Sequence, residues 1–170
     1  MQLRMMGVAM IIVGCGSFGF SIANGYRREV RMLNMLSRIM EDMICQLRYR
    51  MTALPELFLL ASDGCRGQLH QILALVAQNL QAQSYPDAAG CMESALAAVP
   101  GLPESVKRNL QILGEGMGRF DAVGQLSCME SVKQLAMRDL AGLSSGLDGK
   151  VRACRTLGLC TGAALAILLI

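Results

Sequence analysis

The sequence predicts an all-α protein, a bundle of about six helices set between two apolar terminal helices. Three observations carry that expectation. Apolar residues recur at three- and four-residue spacing through most of the chain, the period of one helical face. Prolines, glycines and an Asp-Gly pair cut these stretches into helix-length pieces, and no stretch sustains the alternation of a strand. Both ends are long and uncharged, from Met5 to Tyr26 and from Thr156 to Ile170.

The first of these runs has 22 residues between Arg4 and Arg27-Arg28. As a helix it would reach roughly 33 Å, enough for a hydrocarbon core of about 30 Å. Gly14, Ser17, Ser21 and Gly25 lie along one face of it, where small residues let another helix approach. A cleaved signal peptide is the alternative, with Ser21-Ile22-Ala23 as the small-x-small site. The length of the apolar run favours an anchor. The second run has fifteen residues, short of a span alone. Counted from Val151, with Arg152 and Arg155 extended toward the interface, it reaches roughly 30 Å. Gly158 and Gly162 form a GxxxG pair there, a candidate for helix packing. Its alternative is a core helix that ends the chain. These features divide the chain into an N-terminal transmembrane helix over 1–26, a helical domain over 27–150 and a C-terminal transmembrane helix over 151–170. Arg27, Arg28 and Arg31 leave the first segment, and Lys150, Arg152 and Arg155 approach the second. The positive-inside rule therefore places the central domain in the cytoplasm.

Within that domain the first helix covers 28–50, with Leu36, Met40, Met43, Leu47 and Met51 on its inner face and Arg31, Arg38, Glu41 and Arg48 outside. A short helix over 55–62 has Pro55 in its first turn and ends at Asp63-Gly64. A third spans 67–83. Ser84 caps a fourth over 87–99, with Pro86 in its first turn. A fifth opens at Leu102-Pro103-Glu104 and runs to Leu113, where the glycines of 114–118 break or bend it. Phe120, Val123, Leu126, Met129, Val132, Leu135 and Leu140 mark a last long helix. The thirteen methionines fill gaps between helices.

Charge is local. From Arg27 to Ala53 six arginines face three carboxylates, whereas 54–150 holds seven basic and ten acidic residues. Basic clusters beside apolar runs suit the inner face of a membrane. With no tryptophan and few aromatics, the chain lacks the stacking platforms of nucleic-acid binders. Seven scattered cysteines include no CxxC pair, which reads as buried thiols in a reducing compartment. His70 is the sole histidine, and no nucleotide, hydrolase or zinc motif is present. The glycines of 114–118 follow no strand, so dinucleotide binding is a poor reading. The sequence thus argues against an enzyme, a cofactor, a metal or a small-molecule substrate.

The helices in order resemble a known domain. Thr52-Ala53-Leu54-Pro55-Glu56-Leu57 looks like the opening of the F-domain of type II secretion and pilus platform proteins. Ser84-Tyr85-Pro86-Asp87-Ala88 is similar to its second short-helix start. Ile112-Leu113-Gly114-Glu115, followed by Gly118, Phe120 and Val123, resembles its glycine-glutamate turn. A nearer resemblance is to the stage III sporulation protein AB family of spore-forming Firmicutes. It is carried by the apolar start and basic flank, the Gly114, Gly118, Asp121 and Gln125 series, and the tail Arg155-Thr156-Leu157-Gly158, Gly162, Leu168-Leu169-Ile170. That resemblance implies a non-enzymatic mother-cell membrane protein, a platform subunit of a channel or secretion-like complex facing the forespore. It also implies contact with a cytoplasmic ATPase and sister subunits. A platform module of a type II secretion or pilus system is the alternative. Secretion platforms carry two F-domains and this chain has room for one, which argues for a homo-oligomer. Arg31, Arg38 and Arg48 are the candidate partner-docking residues.

Overall fold

A computed structural model describes the backbone of residues 2–118, 121 and 123–144, and the side chains of 24–118, 121 and 123–144. All regular structure among the described residues is helical. The elements are α1 (Gln2–Arg50), α2 (Leu54–Asp63), α3 (Gln68–Gln81), α4 (Ala88–Ala98), α5 (Glu104–Met117) and α6 (123–144). The chain divides into a unit of residues 31–140 and a unit of 1–30 with 141–170.

Among the residues whose side chains are described, no helix is long and apolar enough to cross a membrane. The two segments expected to do so lie largely outside them. The side chains of 5–23 and the whole of 151–170 are not described.

In the 31–140 unit, α1 supplies the longest buried stripe. Leu33, Leu36, Met40, Met43 and Leu47 are at most 8% exposed, at the spacing that keeps one side of a helix inward. Arg31, Arg38, Glu41 and Arg48 lie outside, as the pattern predicts. Met51 does not join the stripe. It is 85% exposed and follows the end of α1 with φ 48°, so the chain has turned out of the helical path before the next inward position. α2 packs on α3, α3 on α4 and α4 on α5.

α2 starts beside Pro55 in its first turn, and Leu57 N–H donates to Ala53 O at 2.9 Å. Proline is favoured there because its missing N–H would have no helical partner. The start of α4 differs from the expectation. Asp87, not Ser84, is the cap: its extended backbone turns the chain and its carboxylate accepts from Gly90 N–H at 2.8 Å. Pro86 precedes the cap. Ser84 belongs to the end of α3, where its N–H donates to Asn79 O at 3.1 Å.

The break expected over 114–118 comes only at its last residue: α5 runs past Leu113 to Met117, with Gly118 as its C-cap and Gly114 and Gly116 buried inside the helix. Glycine here is a packing device. A Cβ on Gly114 would lie 2.7 Å from Met92 Cβ, and one on Gly116 would collide with Cys128 Sγ. α4 and α6 therefore approach the α5 backbone more closely than any side chain would permit.

α6 contributes Met129, Val132 and Ala136 to the core, each at 0% exposure. Polar ties flank this apolar contact. Lys133 Nζ lies 2.8 Å from Glu41 and Arg48 2.9 Å from Glu130, so residue numbers rise on α1 as they fall on α6. The two helices are antiparallel. Such exposed pairs add about 0–1 kcal/mol each; burial of the apolar side chains, at roughly 1.5–3 kcal/mol each, decides the packing.

Candidate functional site

The expected docking residues are all on α1. Arg31 and Arg38 are seven residues apart, which at 3.6 per turn leaves them on one side of the helix. Both are exposed. Arg48 is exposed too but sits about 80° round the helix from Arg38, and its guanidinium is held by Glu130. The structure thus brings Arg31 and Arg38 onto one stripe and sets Arg48 apart as a tie to α6. Gly158 and Gly162 lie outside the described residues.

Glu41, next to this stripe, is held below the usual carboxylate range, first by the hydrogen bond from Lys133 and then by that ammonium's charge. Arg108 grips Asp139 through both carboxylate oxygens at 3.0 and 2.9 Å, and Asn109 Nδ2 donates to the same carboxylate at 3.1 Å. This junction of α5 and α6 was not legible in the sequence, because its partners are some thirty positions apart. Asn109 is fully buried and its Oδ1 has no hydrogen-bond partner. The only sequence signal was a polar residue inside an apolar stripe.

His70 Nδ1 lies 2.8 Å from Ser62 O, a local link between α3 and the end of α2. Among the described residues no cluster of three or more His, Cys, Asp and Glu is placed to hold a metal ion.

Cys45, Cys65, Cys91 and Cys128 are free thiols; Cys65 and Cys91 are buried and Cys45 is exposed. Burial, reinforced by the Asp63 carboxylate, pushes the Cys65 thiol up to about 11. Cys91 and Cys128 are raised for the same reason, with Asp87 and Glu115 as the secondary causes. A thiol whose folded value is raised favours folding while it stays protonated. That contribution is complete below the unfolded value and is lost as pH climbs toward the folded one. Stability should therefore fall from about pH 9 upward, and maleimide at pH 7 should modify Cys45 well before Cys65 or Cys91. Denaturation midpoints between pH 7 and 10.5, with mass spectrometry of the labelled peptides, check both expectations.

The sequence model of the family described as stage III sporulation protein AB matches residues 4–170. The chain belongs to that family. A solved structure described as stage III sporulation protein AB (SpoIIIAB) matches with a TM-score of 0.62 at 15% identity, covering 71% of this chain and 97% of that one. At such identity the likeness shows the fold, the all-α bundle. No curated protein matches. Family membership gives the protein a role in sporulation.

Proposed function

We propose that this member of the family is a non-enzymatic scaffold subunit of a sporulation complex in the mother-cell membrane facing the forespore. Apolar segments 5–26 and 151–170 anchor it, and its helical bundle faces the cytoplasm as a docking surface. The match of the sporulation family across residues 4–170 carries this reading. The resemblance of the sequence motifs at 52–57, 84–88 and 112–115 to those of platform F-domains supports it. The partners are a cytoplasmic ATPase, sister subunits of the complex and further copies of the chain. Arg31 and Arg38 form the basic stripe that receives an acidic partner surface. Gly158 and Gly162 pack the C-terminal helix against a neighbour.

Arg38 tests the docking role most cleanly. Its side chain is exposed, so Arg38→Glu should cost the fold no more than about 0.5 kcal/mol yet abolish heat-resistant spores at normal protein level. Arg48→Glu also breaks the Glu130 pair and places two carboxylates together, which makes it the less specific variant. Normal spore counts from Arg38→Glu would remove the stripe from the docking surface.

A further inference from the structure

A groove of about 250 Å³ separates α1 from α2, lined among others by Ile39, Asp42, Cys45, Gln46, Leu60 and Gly64. Its chemistry is incomplete. Gln46 Oε1 is buried without a hydrogen-bond partner, and a buried acceptor left unpaired costs about 1–3 kcal/mol. Asp42 is exposed and belongs to no salt bridge among the described residues. Leu60 is apolar and 41% exposed. An occupant suited to the exposed part of this groove brings one apolar side chain and one cation.

The outer face of α6 carries that set. Gln134, Met137 and Arg138 are exposed and point away from the buried Met129, Val132 and Ala136, given the helical period. Met137 is 55% exposed, a large apolar side chain in water. Neighbouring charges on α6 are already engaged: Glu130 by Arg48, Lys133 by Glu41 and Asp139 by Arg108. Arg138 has no salt bridge among the described residues.

We infer that the outer face of α6 in a second copy of this chain seats in the α1–α2 groove, Met137 against Leu60 and Arg138 on Asp42. Groove and knob are different patches of one subunit, so the contact is head-to-tail. Such contacts propagate into a ring or an open filament and do not stop at a pair. The inference rests on the scaffold reading and gives its self-association a surface.

Cys45 lines the groove and makes the test direct. In the full chain, with Cys15, Cys154 and Cys160 replaced by serine, Met137→Cys should yield a ladder beyond the dimer with a short bismaleimide. Cys45→Ser should erase that ladder. Asp42→Arg or Arg138→Asp alone should lower the crosslinked fraction about tenfold through like-charge repulsion. The Asp42→Arg/Arg138→Asp swap should restore it, which a misfolded variant would not do. Monomer alone, a ladder indifferent to Cys45→Ser, or a swap that fails to restore crosslinking overturns the contact. A product that stops at the dimer overturns it as well, by showing a closed pair. Spore counts of the Met137→Cys strain separate this failure from that of the scaffold reading. No ladder from that protein together with normal sporulation removes the groove contact and leaves the scaffold role standing.

Discussion

Leu36→Ala should destabilise the folded bundle by about 2–5 kcal/mol, and Phe58→Ala by about 3–5 kcal/mol. Both side chains are at 0% exposure, Leu36 on the inward stripe of α1 and Phe58 on α2. Neither site lies beside open solvent that could refill the space, so the lost contacts add to the lost transfer free energy. A domain of this size holds roughly 5–15 kcal/mol in total. Either truncation therefore removes a large part of it, and protein level and spore count should fall together in the cell. Chemical denaturation of the full chain measures the shift directly. A change below about 1 kcal/mol at Leu36, outside the range for such truncations, would show that α1 is not the stripe on which the bundle closes. The contrast with Arg38→Glu is informative, since that variant should lower spores without lowering protein.

Much of this core was legible in the sequence because helical burial leaves a period. Leu36, Met40, Met43 and Leu47 could be placed inward from spacing alone, and the turn at Pro55 from the chemistry of a proline. What could not be read was set by long-range partners. The three-four spacing continues through Met51, but nothing local announces that the backbone turns there. Ser84 and Asp87 are both competent caps, and the choice between them depends on where α3 stops. Of the candidate docking residues, Arg31 and Arg38 share a stripe by simple geometry. That Arg48 belongs to Glu130 could not be anticipated, for the partner is 82 positions away. The α1–α2 groove leaves no local signal for the same reason: Gln46 and Leu60 are unremarkable until two helices bring them together.

The glycines of α5 show a local rule giving way to packing, and they supply the second large effect. In isolation Gly→Ala inside a helix gains about 1 kcal/mol, and at Gly142, where a new Cβ meets nothing within 4 Å, that gain should be realised. At Gly116 the sign should reverse. The added methyl collides with Cys128 Sγ and lies 2.8 Å from its Cβ, and overpacking costs about 1–3 kcal/mol. Gly116→Ala is expected to lose stability on balance, and Gly116→Leu to prevent α6 from docking. Gly114→Ala faces a stiffer obstacle, because its nearest neighbour is Met92 Cβ at 2.7 Å, an atom that moves only with the α4 backbone. The two sites should therefore respond differently to a second substitution. Cys128→Ala removes the sulfur nearest to position 116 and should recover part of the loss there. Met92→Ala removes the Cγ contact at 3.0 Å but keeps the Cβ at 2.7 Å and should recover little at 114, whereas Met92→Gly should recover more. Denaturation midpoints of these single and double variants separate the two obstacles. Equal rescue by Cys128→Ala and Met92→Ala, or a stabilised Gly116→Ala, would mean that α5 is not held against α4 and α6 at backbone distance.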